Sequence, residues 1–141
     1  MKKWIHSFED ATAIIYVVDL DTYDMVDTPA TGKTVNRMEE SLLLFKSVIT
    51  SQWFHKVMTV ILLLANRSEF ARKLPVSPLC NHFPHYTDGN DISKASRYIL
   101  RRYSDIVPTG KFLYAHLVDS DNGSTLRFID ASVGQSIVSE R

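Results

Sequence analysis

Two apolar stretches decide the fold of this chain: ATAIIYVVDL at residues 11–20 and VMTVILLLA at residues 57–65. Both are almost continuously apolar and rich in Val, Ile and Leu, which is typical of strands covered on both faces of a parallel sheet. Residues 111–118 form a third candidate strand. Because these apolar runs alternate with amphipathic stretches, the sequence predicts an α/β domain of three parallel strands with helices on both faces.

Helical periodicity fills the space between the strands. Residues 36–54 are predicted to form a crossover helix, because apolar residues recur there at helical spacing opposite charged ones. The apolar positions are Met38, Leu42, Phe45, Ile49 and Trp53. A second helix is predicted at 91–105, capped by Asn90 or Asp91, and a final one at 124–138. Residues 28–32 and 75–89 are expected to be loops, and residues 1–141 a single domain.

Composition argues against several classes of function. A chain of 141 residues with 45% hydrophobic content is typical of one soluble globular domain. Lys plus Arg and Asp plus Glu both number 16, so no net charge favours nucleic acid or an acidic membrane. The single cysteine, Cys80, cannot form an intrachain disulfide and fits the cytoplasm. The longest apolar run, at 60–65, is far shorter than the roughly 20 residues of a membrane helix.

Four ordered blocks carry a resemblance to a known family: KKWIHSFED at 2–10, LDTYDMV at 20–26, NRMEESLLLFKSVITSQWF at 36–54 and SPLCNHFPHY at 77–86. Their order and spacing resemble those of heterotrimeric G-protein alpha subunits over nearly the whole chain. The resemblance implies a partial Ras-like domain of the P-loop NTPase type, corresponding to the C-terminal half of the GTPase domain. It also implies a role in G-protein-coupled receptor signalling.

The resemblance assigns recognition of the guanine base to residues after the second long strand. Asn66, Arg67 and Glu69 stand where the family has Asn-Lys-x-Asp, which anchors the base, covers the purine face and accepts the guanine N–H donors. Arg67 can still stack on a purine, whereas the extra methylene of Glu69 displaces its carboxylate. Ser120 lies in a segment whose family counterpart offers backbone N–H groups to the guanine oxygen. A polar turn that only closes the strand is the alternative interpretation of residues 66–69.

The residues that handle phosphate in that family have no counterpart in this sequence. No GxxxxGK[ST] loop or Asp-x-x-Gly-Gln switch is present, and the TGKT at 31–34 has Asp27 where the first glycine is required. We therefore expect GTP or GDP binding to be weak or lost, with no Mg²⁺ ligands and no catalytic residues. The alternatives are a non-catalytic interaction module and a truncated, non-functional remnant.

Partners also follow from the resemblance. Trp4 and His6 lie in a segment that in the family meets the beta/gamma dimer or effectors, so this dimer, a receptor and an effector are the implied partners, at the inner face of the plasma membrane. A purely structural role for both side chains is equally consistent with the sequence. The strand at 11–20 would lack the neighbour that it has in a complete Ras-like sheet, and an open apolar edge predicts self-association.

Two further constellations suggest other chemistry. Asp19 and Asp21 follow an apolar strand, as do the paired aspartates of haloacid-dehalogenase-like phosphatases, but Tyr23 stands where those enzymes have Thr or Val. Cys80, His82 and His85 are zinc-ligand types, but their spacing is too compressed for paired ligands. The sequence therefore predicts no metal site, and the phosphatase is a minor alternative.

Overall fold

A computed structural model describes residues 13–28, 30 and 32–118, apart from the side chain of Trp53. The strands are β1 (Ala13–Asp19), β2 (Val26–Asp27), β3 (Val35–Asn36), β4 (Thr59–Ala65) and β5 (Phe112–Leu117). β1, β4 and β5 form one parallel sheet in the order β1-β4-β5, and β2 and β3 form a short antiparallel hairpin. The prediction of three parallel strands is confirmed. The hairpin was not predicted, and Gly32 of the TGKT segment lies in its turn.

The helices are α1 (Arg37–Ile49), α2 (Arg67–Lys73) and α3 (Ile92–Ser104). The Asn36 side chain caps α1 by accepting a hydrogen bond from the Glu39 N–H at 3.0 Å, and the Asp91 carboxylate caps α3 in the same way. The predicted extension of the first helix to residue 54 is wrong. α1 ends at Ile49, where the Thr50 backbone leaves the helical region with φ −95° and ψ 0°, and the chain then forms a separate 3-10 turn at Gln52–Phe54.

The two faces of the sheet carry different apolar clusters, since successive strand residues point to opposite sides. On one face, strand side chains pack with α1 and α3 in the main core; they include Ile14, Val18, Val60, Leu62 and Leu64. On the other face, Ile15, Ile61 and Leu63 form a smaller buried cluster. The helix predicted at 124–138 lies outside the described residues.

Phe45 of α1 and Tyr103 of α3 lie at the centre of the main core, and both are fully buried. Their rings meet edge to face with centroids 5.4 Å apart, and Tyr16 of β1 lies 4.9 Å from Phe45. The Tyr103 hydroxyl bonds to the Ser41 Oγ at 2.7 Å, and the Tyr16 hydroxyl donates to the Ser41 carbonyl at 3.0 Å. Burial raises the pKa of Tyr103 well above its usual value, so the phenol stays neutral. This cluster joins α1 and α3 to the sheet.

Strand β1 has one neighbour, β4, within the described part of the chain. The side chains of Ala13, Ile14 and Ile15 are nevertheless buried, with at most 5% of their surface exposed. These apolar side chains are therefore covered on the faces of the sheet. The groups that a second chain could pair with at the edge of β1 are its backbone N–H and C=O groups. Self-association through this edge stays a prediction.

Candidate functional site

The candidate site lies where the parallel strands end. Asp19 closes β1 and is paired with Ala65, which closes β4; β5 ends at Leu117, beside Leu64. Parallel strands place their carboxyl ends at one edge of the sheet, and open α/β sheets bind ligands in the crevice at that edge. The turn at Asn66, which follows β4, therefore lies where such sheets bind ligands.

Asn66 makes the turn that joins β4 to α2. Its backbone has φ 62° and ψ 41°, in the left-handed region that Asn tolerates better than most residues. Its side-chain Nδ2 donates to the Asp19 Oδ1 at 2.5 Å, across 47 positions of sequence. The amide assigned to the base is thus hydrogen-bonded to a carboxylate at the end of the neighbouring strand.

Arg67 ties this loop to the end of β5. Its backbone N–H donates to the Val118 carbonyl at 3.3 Å, while its side chain is exposed. The start of α2 is therefore hydrogen-bonded to the residue that follows β5. Ser120, Trp4 and His6 lie outside the described residues, so their predicted roles stay predictions.

Glu69, in the first turn of α2, is paired with Arg72 on the same helix. The Arg72 Nε donates to the Glu69 Oε1 at 3.2 Å, and its Nη2 donates to the second carboxylate oxygen. The bond from Arg72 lowers the pKa of Glu69, so the carboxylate is ionised at neutral pH. Its geometry is bidentate, and both oxygens that would accept the guanine donors already have a partner.

An acidic pair lies beside this loop. The hydrogen bond to the Asp19 carboxyl, reinforced by partial burial and by the Asp19 charge, raises the pKa of Asp21 to about 6. Lys73 of α2 donates to the Asp21 carbonyl at 2.8 Å and to the Asp24 carboxylate at 2.5 Å. Asp19 thus contacts both Asn66 and Asp21, and the lysine holds the surrounding turn against α2.

The acidic pair predicts a specific dependence of stability on pH. The folded pKa of Asp21 lies above its ordinary value of 3.8, so the stabilisation that it provides is complete below about pH 4 and is lost as the pH rises through about 6. Asp21→Asn should remove this dependence and make the protein more stable at pH 7.5, by at most about 1 kcal/mol because solvent screens the pair.

Urea unfolding at several pH values between 4.5 and 7.5 measures this effect. The matched control is Asp88→Asn, since Asp88 is exposed in a loop and its removal should leave the shape of the profile unchanged. Parallel profiles for Asp21→Asn and the unchanged protein would show that the carboxyl pair does not share a proton.

Sequence reasoning missed two features of this site. It interpreted residues 66–69 either as a base-recognition motif or as a polar turn, whereas only Asn66 forms the turn and Arg67 already begins α2. The sequence did contain a signal for α2, because Phe70 and Leu74 are spaced one helical turn apart. Both side chains are fully buried in the structure. It also missed the contact between Asp19 and Asn66, for which the sequence offers no local signal.

The geometry gives little support to the two other interpretations of the sequence, a phosphatase site at Asp19 and Asp21 and a zinc site at Cys80, His82 and His85. Asp19 and Asp21 bond to each other, and the His82 ring packs edge-on to Tyr23 with centroids 5.8 Å apart. Cys80 is exposed. Within residues 13–28, 30 and 32–118, no group of three or more His, Cys, Asp or Glu side chains is arranged to hold a metal. No helix in that part is long and apolar enough to cross a membrane.

Comparison with known proteins gives one consistent result. A model of the G-protein alpha subunit family matches residues 1–137. The guanine nucleotide-binding protein alpha-3 subunit of Neurospora crassa is 43% identical over 137 residues, which cover 97% of this chain and 38% of that protein. A guanine nucleotide-binding protein subunit alpha of Cryptococcus neoformans is 44% identical, with 97% and 31% covered. The alpha-2 subunit of Saccharomyces cerevisiae is 38% identical, with 97% and 30% covered. The chain thus spans 30 to 38% of the length of these relatives.

Proposed function

The chain belongs to the G-protein alpha subunit family, and on that premise we propose that it carries the base-recognition part of a guanine-nucleotide site in receptor-linked signalling. The observation that supports this most is the joined edge of the sheet: Asn66 turns in the left-handed region beside Asp19, and the Arg67 amide bonds to Val118. These contacts hold the Asn66 turn beside the carboxyl ends of β1 and β5, which supports a role for this edge in binding one base.

The same contacts weaken nucleotide binding. The Asn66 amide already donates to Asp19 and the Glu69 carboxylate already accepts from Arg72, so a guanine base competes with these contacts for the orientation of both groups. Much of the gain from a new hydrogen bond is offset where an existing bond is weakened. We infer that the 141-residue polypeptide binds GDP weakly and discriminates poorly against adenine. In this proposal Arg67, whose side chain is exposed, provides the stacking surface, and the role of Ser120 is the one that the family resemblance implies.

Hydrolysis requires parts that these 141 residues do not contain. Phosphoryl transfer depends on a loop and lysine around the phosphates, a metal ion and a positioned water molecule, and neither the GxxxxGK[ST] loop nor the Asp-x-x-Gly-Gln switch is present. The polypeptide as it stands therefore holds a base without placing the γ-phosphate.

We expect purified protein to release phosphate from GTP no faster than a buffer control, under single-turnover conditions with Mg²⁺. Asn66→Ala is the matched variant, because it removes the turn amide at the base site. Hydrolysis that Asn66→Ala leaves unchanged would come from a contaminating enzyme. Hydrolysis that disappears in Asn66→Ala would contradict the proposal and assign catalysis to this site.

A non-catalytic interaction module is the second candidate, and the outer face of α1 favours it. Leu43 and Leu44 are 67% and 47% exposed there. Neighbouring exposed apolar side chains are a feature of surfaces that a partner covers. In this version of the proposal the chain contacts the beta/gamma dimer, a receptor or an effector at the inner face of the plasma membrane, with Trp4 and His6 at the contact. Calorimetric titration with GDP and ADP distinguishes the two candidates.

A further inference from the structure

A cleft of about 250 Å³ lies between α3 and the carboxyl ends of β4 and β5. Its apolar lining includes Leu64, Leu100 and Leu117, and its polar lining includes Ser93, Ser96 and Arg97 of α3. Asn66, Arg67 and Glu69 do not line it. The cleft is therefore separate from the base site, although both adjoin the same end of the sheet.

Ser96 is the feature of this cleft that packing does not explain. It is 3% exposed, and its Oγ has no hydrogen-bond partner among the described residues. Buried hydroxyls in native proteins nearly always have a partner, because leaving one unpaired is destabilising. By contrast, the hydroxyls of the buried Tyr23 and Tyr103 each have a hydrogen-bond partner. The oxygen itself has less than 1 Å² of exposed surface, so an acceptor in the cleft would pair with it after rotation of the Ser96 side chain about χ1.

The neighbouring charge indicates what kind of acceptor fits. Arg97 is exposed and forms no ion pair with another described residue, although it also borders an adjoining cleft that contains Asp88. Ser93 lies one helical turn from both Ser96 and Arg97, on the same side of α3. Ser93 is in the first turn of the helix, where the backbone dipole favours negative charge, and His116 of β5 also lines the cleft. Asp91 caps that end through the Lys94 N–H but does not line the cleft.

We propose that this cleft binds a small carboxylate with an apolar body. The carboxylate pairs with the Arg97 guanidinium and accepts a hydrogen bond from the Ser96 hydroxyl, while the body packs on Leu64, Leu100 and Leu117. A volume of 250 Å³ equals that of roughly eight water molecules, so a ligand of about eight to ten non-hydrogen atoms fills it. The apolar share of the lining favours such a ligand over inorganic phosphate, because most of a small-molecule pocket contacts apolar atoms.

Benzoate is a suitable probe, and benzamide is its uncharged counterpart of the same shape. Each is titrated into the ¹⁵N-labelled full chain, and binding is followed by the amide shifts of Ser93, Ser96, Arg97 and Leu117. We expect saturable shifts at these positions, with benzoate binding at least about tenfold more tightly than benzamide, because a bond between charged groups is roughly twice as strong as a neutral one. Equal binding of the two probes, or no saturable shift, would overturn the proposal.

Variants separate the site from general surface binding. Arg97→Gln and Ser96→Ala should each weaken benzoate binding about five- to tenfold. Lys94→Gln, which removes an exposed cation of α3 that does not line the cleft, should change it less than twofold. The thermal midpoint of unliganded Ser96→Ala should equal or exceed that of the unchanged protein, since the hydroxyl has no partner to lose. A lower midpoint together with unchanged benzoate affinity would assign Ser96 a purely structural role and refute the site.

Discussion

Phe45→Ala is expected to lower the free energy of unfolding by about 3–5 kcal/mol, the cost of removing a large aromatic side chain from a packed core. Phe45 is fully buried and contacts the rings of both Tyr16 and Tyr103. Its loss leaves a cavity between α1, α3 and β1, and the two tyrosines cannot collapse into it because both hydroxyls are held at Ser41. Urea unfolding followed by circular dichroism measures the effect.

Leu43→Ala is the matched control, because it shortens a large apolar side chain on the same helix at a position that is 67% exposed. We expect a change within about 0.5 kcal/mol. Phe45→Leu, with an expected loss of about 1–2 kcal/mol, keeps the test measurable where the alanine variant unfolds completely. A loss below about 1 kcal/mol for Phe45→Ala would show that α1 and α3 do not pack on the sheet through this ring.

The second large effect concerns nucleotide affinity. Asp19→Ala frees the Asn66 amide and removes a negative charge from the base edge, which we expect to strengthen GDP binding by about 1–2 kcal/mol. Glu69→Asp shortens the carboxylate and draws it away from Arg72, with an expected gain of about 1–3 kcal/mol in discrimination between guanine and adenine. Asp19 and Glu69 both act electrostatically on Asp21, so the double variant is measured directly and its effect is not taken as the sum of the single ones. Asp88→Ala, which removes an exposed carboxylate from a loop, should have no effect.

The strands and capped helices were predictable because their signals are local. Apolar runs of strand length and the apolar spacing of 36–54 identify buried faces directly, and Asn36 and Asp91 mark helix starts by their side-chain chemistry. α2 was missed because its helical signal is confined to Arg67–Lys73. A helix that short is marginal in isolation and depends on burying Phe70.

The interactions that decide function at this site are not local. Asn66 meets Asp19 across 47 positions of sequence, and the fully buried Tyr23 holds the loop at 75–89 by donating its hydroxyl proton to the Ser77 carbonyl at 2.5 Å. Ser96 lies on α3 next to the buried Ala95 and one turn before the buried Ile99, in a cleft that is also lined by β5. These contacts follow from how the elements pack, which periodicity does not specify.

The central claim is that this chain retains a base-recognition loop whose side chains are held by internal partners. Calorimetric titration of the unchanged protein and of the Asp19→Ala, Glu69→Asp double variant with GDP and ADP tests it most directly. The account predicts weak binding with little preference in the unchanged protein, and tighter, guanine-selective binding in the double variant. The claim would be contradicted if the double variant bound GDP no more tightly than the unchanged protein does and showed no preference for GDP over ADP. The interaction module would then be the better account of this chain.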